Sequence, residues 1–120
     1  MSAPVVWFEV TGQDADNLKS FYGNLFDWKT TPAPGAPGYE MVDKAEGGIP
    51  GGIGPAQGSP GGWITFYIAV DDLPAKLAEI EAQGGKTLAP PMQLQDGSSI
   101  AVFADPEGRP VGLVKMTATA

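Results

Sequence analysis

One carboxylate stands out among the residues of this sequence that could do chemistry. Glu9 lies within the segment Val5–Val10, where its neighbours are apolar or aromatic. Taking an unpaired carboxylate out of water costs on the order of several kcal/mol. Glu9 could therefore pair with a cationic ligand or act as a general base. It could equally form a salt bridge with Arg109 or Lys115, or remain exposed, and the residue pattern leaves all of these open.

Two residue types that dominate active sites are absent. The 120 residues contain no histidine and no cysteine. This excludes disulfides, thiolate nucleophiles and Cys-type zinc sites, and it removes the commonest general base at neutral pH. Serine nucleophiles would have no histidine base. Any metal would need carboxylate, carbonyl and water ligands, which suit Mg²⁺ or Ca²⁺. We therefore predict a protein without a cofactor.

The charge balance narrows the class of partner. The sequence contains seven Lys and Arg residues and fourteen Asp and Glu residues, which gives a net charge of −7. No basic patch is present to neutralise phosphates, so nucleic acids and anionic membranes are disfavoured, whereas a small cation is favoured. The sequence shows no signal peptide and no apolar run near the roughly 20 residues of a membrane span. We expect a soluble, cytoplasmic protein.

Short elements separated by Gly and Pro follow one another twice along the chain. Asp14 is predicted to cap a helix over about 15–26, and Asp72 a helix that continues to about Gln83. The apolar side chains of the first helix recur at helical spacing and are expected to face a sheet. They are Leu18, Phe21, Tyr22, Leu25 and Phe26. Strands are predicted over residues 5–10, 28–31, 39–43, 50–54, 63–70, 86–90, 99–104 and 110–116.

An internal repeat supports this division. Gly48–Ile53 and Gly108–Leu113 share the pattern Gly-x-Pro-x-Gly-aliphatic, 60 positions apart, and Val10 and Val70 close their strands at the same offset. We predict two βαβββ modules, residues 1–58 and 59–120, in one structural domain. One module alone would bury too little apolar surface to be stable.

Two stretches carry a resemblance to a known superfamily. They are Phe21–Trp28, with the sequence FYGNLFDW, and Val102–Leu113, with the sequence VFADPEGRPVGL. The chain resembles the vicinal oxygen chelate superfamily, which includes glyoxalases, bleomycin- and fosfomycin-resistance proteins and extradiol dioxygenases. The resemblance implies a glyoxalase-like α+β fold, in which two βαβββ modules form a curled, cup-like mixed sheet, commonly completed in a homodimer.

The resemblance also implies where a metal would be held. Metal-containing members place His or Glu on the first and last strand of each module. Counted from Val10 and Val70, these positions correspond to Val5, Gly52, Thr65 and Gly112, or to Trp7 instead of Val5 after a two-residue slip. Val and Gly side chains and the Trp indole cannot bind a metal, and the Thr hydroxyl is a poor neutral ligand. Metal-assisted chemistry needs several fixed ligands and an open position. We therefore predict no metal at these positions.

Strand alternation places aromatic side chains beside Glu9. Trp7 and Glu9 share a face of the first strand, and Trp63, Thr65 and Tyr67 share a face of the matching strand. If Val5 and Thr65 point into the cup, Trp7, Glu9, Trp63 and Tyr67 also line it and could bind a flat or cationic molecule by stacking and cation–π contact. The alternative is that the aromatic rings fill a core.

These observations predict a metal-free homodimer that binds an apolar or cationic small molecule, as bleomycin-resistance-type proteins do. The alternative is a glyoxalase- or dioxygenase-like enzyme that uses non-standard oxygen ligands for a metal, or Glu9 as a base. A third possibility is a module of a larger assembly, for which an exposed apolar face would be the evidence.

Overall fold

The computed structural model describes residues 2–56 and 61–116. Its described residues form two helices and eight strands in the order β-α-β-β-β, twice. The elements are β1 (Val5–Gly12), α1 (Ala15–Phe26), β2 (Thr30–Pro32), β3 (Glu40–Val42), β4 (Gly51–Pro55), β5 (Ile64–Ala69), α2 (Leu73–Ala82), β6 (Lys86–Gln93), β7 (Ser99–Ala104) and β8 (Pro110–Lys115). The predicted α+β class with two βαβββ modules is confirmed.

The residues group into two compact units. The first unit is Val6–Thr65, and the second joins the start of the chain, through Val5, to the residues from Phe66 onward. The predicted boundary after residue 58 lies outside the described residues.

Both units have the same strand topology. In the first, the order is β2-β3-β4-β1, in which β1 and β4 are parallel and the other pairs antiparallel. In the second, the order is β6-β7-β8-β5, and β5 and β8 are parallel. In each unit the helix lies within the chain segment that connects the first strand to the fourth, its parallel partner, because parallel pairing requires a long connection.

The two helices begin where capping chemistry predicts. The Asp14 carboxylate accepts a hydrogen bond from the Asn17 backbone N–H at 3.0 Å, and the Asp72 carboxylate accepts one from Ala75 at the same distance. These bonds satisfy N–H groups that have no partner within the helix. Asp27, at φ 57°, ends α1 in the left-handed conformation.

Each unit has its own apolar core. In the first, Val10, Val42 and Ile53 are buried, and the partly buried Phe8, Leu18, Tyr22 and Trp28 pack against them. The core of the second unit contains Leu73, Leu77, Ala101 and Leu113. The even-numbered side chains of β1 thus face α1, which leaves Trp7 and Glu9 on the opposite face of the strand.

The apolar stripe of α1 is covered only in part, which corrects the sequence prediction. Leu18 and Tyr22 pack on the core, but Phe21, Leu25 and Phe26 keep 52%, 60% and 59% of their surface exposed. Helical periodicity identifies an apolar stripe, but it does not report how much of that stripe the sheet reaches.

The repeat offset also needs a correction. The helix caps Asp14 and Asp72 are 58 positions apart, and so are Glu9 and Tyr67, which pair with Gly52 and Gly112. In the first strands the repeat therefore has an offset of 58 residues, against 60 in the last strands. Trp7, not Val5, is the counterpart of Thr65. The alternative with the two-residue slip is correct.

Within the described residues, neither helix is long and apolar enough to cross a membrane.

An ion-paired carboxylate connects α1 to β3 and predicts acid sensitivity. Thr30 donates to Glu40, and Lys19 lies 3.3 Å from the same carboxylate, which together hold the pKa of Glu40 below its ordinary value of 4.5. The unfolded state then binds more protons than the folded state below about pH 4.5. We expect the free energy of unfolding to be steady above that pH and to fall below it. Denaturant midpoints measured from neutral pH to pH 3 check this.

A matched pair of variants isolates the Glu40 contribution. Glu40→Gln should flatten the acid limb of the stability profile, because it removes the group that gains a proton on unfolding. The exposed Glu46→Gln should leave that limb unchanged. Two other carboxylates preserve part of the acid limb in both variants. A hydrogen bond from Ser98 lowers the pKa of Asp96, and one from the Arg109 backbone lowers the pKa of Asp105. An identical acid limb in the wild type and Glu40→Gln would contradict the assignment.

Candidate functional site

The Glu9 carboxylate lies at the centre of a hydrogen-bond network in the first unit. Only 8% of the residue is exposed. The Trp63 indole N–H donates to Glu9 Oε2 at 2.7 Å, and the Tyr39 hydroxyl donates to Glu9 Oε1 at 3.0 Å. The Trp7 indole N–H in turn donates to the Tyr39 oxygen at 3.0 Å. Three of the predicted site residues are thus brought together, and Tyr39 connects two of them.

Local structure positions each member of this network. Trp63 is held beside the end of β1, because it exchanges two backbone hydrogen bonds with Thr11. The Trp63 backbone N–H also donates to the Thr11 hydroxyl at 3.0 Å. Tyr39 follows a turn in which Ala33 and Tyr39, and Tyr39 and Ala36, are hydrogen-bonded. Trp7 and Glu9 are two positions apart in β1, so their side chains lie on the same face of the strand.

Tyr39 was missed by the sequence analysis, although two glycines point to it. Gly52 and Gly54 lie on the same face of β4, and a Cβ atom at either position would run into the Tyr39 ring. Glycine within a strand often marks a place where another group approaches the backbone closely. The alternating glycines of β4 were therefore the available indication of a ring lying flat on that strand.

Two of the hydrogen-bond donors to Glu9 are side chains of its own unit. They are the Trp63 indole and the Tyr39 phenol, which donate hydrogen bonds and carry no charge. The Arg109 guanidinium lies 3.1 Å from Asp105. Trp63 and Tyr39, two neutral donors, thus hold the Glu9 carboxylate within the first unit.

The other predicted residues are placed separately. Thr65, in the first unit, is buried, with 8% exposed. Tyr67, in the second unit, is also buried, and its ring lies against Gly112, where a Cβ atom would collide with it. Gly52 and Gly112 are therefore each covered by a tyrosine ring of their own unit.

The residues at the predicted metal positions do not fit a metal ion. Two of them are glycines under tyrosine rings, and Trp7, Val5 and Thr65 offer no charged ligand. Among residues 2–56 and 61–116, no group of three or more Asp and Glu side chains is arranged to hold an ion. Structural and catalytic zinc sites both need at least three protein ligands.

Trp63 also lines an open depression in the first unit. Its volume is about 630 Å³, within the range typical of small-molecule sites. It lies where β1 ends and α1 begins. The polar side chains that line it are Thr11, Gln13, Asp14 and Asn17, and the apolar and aromatic ones are Val10, Leu18, Tyr22, Trp63 and Ile64. One indole therefore contacts both Glu9 and this depression.

Comparison with known proteins identifies the family. A model of the glyoxalase-like domain matches residues 7–114. The chain belongs to the glyoxalase-like domain family, and with it to the vicinal oxygen chelate superfamily, as its sequence resemblance implied.

Two curated relatives are about one-third identical to this chain over the region that aligns. The putative glyoxylase CFP32 of Mycobacterium tuberculosis is 32% identical over 114 residues, covering 89% of this chain and 43% of that protein. The anthracycline biosynthesis protein DnrV of Streptomyces peucetius is 33% identical over 120 residues, covering 85% of this chain and 43% of that protein. The chain thus spans less than half the length of these relatives.

Solved structures show the same fold at low identity. The hypothetical protein BH1468 from Bacillus halodurans superposes with a TM-score of 0.67 at 15% identity, covering 100% of this chain and 99% of that one. Methylmalonyl-CoA epimerase from Mycobacterium tuberculosis gives a TM-score of 0.65 at 15% identity, covering 95% and 88%. The glyoxalase-like fold is thereby established.

Proposed function

We propose that this chain is a small-molecule-binding member of the glyoxalase-like family that takes an aromatic cation or an apolar ring against Trp63 and the Glu9 network. The observation that carries the proposal is the buried Glu9 carboxylate, which accepts hydrogen bonds from the neutral Trp63 and Tyr39. These two donors carry no charge, and they fix the direction in which the carboxylate oxygens point. A carboxylate that is held in this way is a recognition group for a ligand cation.

The aromatic side chains supply the remaining recognition. Trp63 offers its indole to the open depression, and Tyr22 lines the same depression. Indole and phenol faces attract cations and stack on flat rings, with about 0.5–2 kcal/mol for each cation–π contact. The net charge of −7 would accelerate capture of a cation more than it would set the affinity.

The named activities of the relatives agree with a small organic ligand. The Streptomyces peucetius relative is an anthracycline biosynthesis protein, and the mycobacterial one is a putative glyoxylase. More than half of each relative lies beyond the matched region, so the activity of the whole relative is not assigned to the part that this chain matches. We propose only the ligand class, a flat or cationic organic molecule.

Titration with matched dyes tests the proposal. Proflavine, a flat aromatic cation, should bind and quench tryptophan fluorescence, whereas anthraquinone-2-sulfonate, a flat anion, should bind at least tenfold more weakly. Glu9→Gln should lower proflavine affinity about tenfold or more, since a desolvated charge pair is lost. Glu46→Gln removes an exposed charge from the same unit and should leave the affinity nearly unchanged.

Two results would contradict the proposal. One is equal affinity for the two dyes in the wild type, because recognition would then not depend on the carboxylate. The other is a stoichiometric metal that survives dialysis and is found by elemental analysis, which would favour the enzyme alternative with non-standard oxygen ligands.

A further inference from the structure

Four residues that line the depression beside Trp63 carry neutral polar groups with hydrogen-bonding capacity to spare. They are Thr11 and Tyr22, through their hydroxyls, and Gln13 and Asn17, through their side-chain amides. In the part of the chain that the structure describes, the Tyr22 hydroxyl and the two side-chain amides take part in no hydrogen bond. The Thr11 hydroxyl accepts one, from the Trp63 backbone N–H, and keeps its own hydrogen to donate. Each of these four groups can both donate and accept.

The depression offers a ligand little charge. Among the described residues that line it, Asp14 alone is charged, and its carboxylate already accepts the Asn17 backbone N–H at the start of α1. Neither Lys nor Arg occurs in this described lining, so a phosphate, a sulfate or a carboxylate would find no counter-charge there. The polar groups therefore suit a neutral ligand group that itself donates and accepts hydrogen bonds.

Trp63 supplies a fixed apolar surface in the same depression. Its indole N–H, which is the one polar group of the side chain, already donates to Glu9 at 2.7 Å. What Trp63 presents to the depression is therefore ring carbon. The backbone hydrogen bonds with Thr11 hold the residue in place, so this surface is preorganised for a ligand.

Packing of the Tyr22 ring fixes the position of its hydroxyl. The Trp28 ring stacks on it with the ring centroids 5.2 Å apart and an angle of 9° between the planes. The Phe21 ring meets it edge to face, also at 5.2 Å. A hydroxyl on a ring that is already packed loses little conformational freedom when it binds a ligand.

We propose that the depression is a carbohydrate subsite, which takes a neutral sugar ring with its C–H face on Trp63 and its hydroxyls on the four neutral polar groups. A sugar ring combines an apolar face with an edge of groups that both donate and accept, as this lining requires. A plain aromatic ring would stack on Trp63 but would cover polar groups without bonding them, at a cost in affinity. The inference rests on the proposed function, because Trp63 contacts both the depression and Glu9, and it names the ligand class as a flat or cationic ring that carries a sugar.

Titration with matched nitrophenyl compounds, followed by quenching of tryptophan fluorescence, tests the inference. The probes are the 4-nitrophenyl pyranosides of glucose, galactose and mannose, and 4-nitroanisole, which has the same aromatic ring and no sugar. At least one pyranoside should bind about tenfold more tightly than 4-nitroanisole, as two sugar hydrogen bonds of ordinary strength would give. The fully acetylated form of that pyranoside cannot donate hydrogen bonds and should bind no more tightly than 4-nitroanisole.

Three variants locate the sugar in the depression. Tyr22→Phe keeps the packed ring and removes only the hydroxyl, and Asn17→Ala keeps the backbone N–H that Asp14 caps. Each should lower the ratio of pyranoside affinity to 4-nitroanisole affinity about three- to tenfold. Asn24→Ala removes an exposed amide of the same helix that does not line the depression, and it should preserve the ratio. Circular dichroism checks that each variant is folded.

The outcomes separate this inference from the proposed function. A wild-type ratio near one for all three pyranosides would overturn the carbohydrate subsite, and so would a ratio that Tyr22→Phe and Asn17→Ala both leave unchanged. Proflavine binding with its preference over the anionic dye would then still support the proposed function. Equal affinity for the two dyes, beside a pyranoside preference that Tyr22→Phe removes, would instead contradict the proposed function and support the subsite.

Discussion

Gly52→Ala should lower the free energy of unfolding by about 2–4 kcal/mol and remove binding of the cationic dye. A Cβ atom at Gly52 would overlap the hydroxyl end of the Tyr39 ring. Tyr39 must then move, and its hydrogen bonds with Glu9 and Trp7 are lost together. The buried carboxylate loses a donor, which adds to the cost of the steric overlap. Chemical denaturation and the proflavine titration measure the two effects.

The chain offers a matched control for this variant. Gly48 lies in the same unit, and a Cβ atom there would come no closer than 3.5 Å to the Ala45 carbonyl oxygen, an ordinary contact. Gly48→Ala should therefore change stability by less than about 0.5 kcal/mol and leave dye binding intact. An equally small effect of Gly52→Ala would contradict the placement of Tyr39.

A double-mutant cycle identifies the cause of the Gly52 effect. In a Tyr39→Ala background, the space above Gly52 is empty, so that Gly52→Ala should cost much less than it does in the wild type. The difference between the two costs is the coupling energy of the Gly52–Tyr39 pair, which we expect to exceed about 1 kcal/mol. Simple additivity would mean that the Gly52 effect arises from the backbone alone.

Ile53→Ala should lower the free energy of unfolding by about 2–5 kcal/mol, because it removes a side chain that has no exposed surface. Ile53 lies on β4 between the two glycines that accommodate Tyr39, but on the opposite face, where it packs with Val10 and Val42. A cavity there would weaken the core on which the site's strands rest. Denaturant midpoints and thermal unfolding measure the loss.

The same substitution at a second isoleucine serves as the control. Ile64 is 74% exposed, so that Ile64→Ala loses little buried apolar area. We expect it to change stability by less than about 0.5 kcal/mol. If the two variants lost similar stability, the burial of Ile53 would not be the source of the effect.

Much of the fold could be predicted from local patterns. The cap residues Asp14 and Asp72 located both helix starts. The hydrogen bond between a cap carboxylate and the backbone N–H three residues later is a local interaction, so the sequence alone predicts it. The turn at Asp105–Gly108 located the final hairpin for the same reason: the Asp105 carboxylate bonds the nearby Glu107 and Arg109 backbone N–H groups. The resemblance identified the superfamily from two short stretches.

The candidate site was predictable only in part. Alternation in β1 put Trp7 and Glu9 on one face, because the side-chain period of a strand is fixed. That this face lies opposite α1 follows from the structure, where Phe8 and Val10 pack with Leu18 and Tyr22. Tyr39 could not be assigned, because 30 residues separate it from Glu9 and its position depends on a loop conformation. The offset of 60 residues failed in the first strands, because register is set by pairing between strands that are distant in sequence.

The sequence by itself determined which elements form, the modular repeat, and the absence of histidine and cysteine ligands. These follow from residue types and from interactions within a few positions. Only the tertiary structure decided that Tyr39 lies across Gly52 and holds Glu9, that Trp63 reaches the same carboxylate, and that Phe21 and Leu25 stay exposed. These contacts join residues far apart in the chain, and their geometry depends on strand register and on how far a sheet extends beneath its helix.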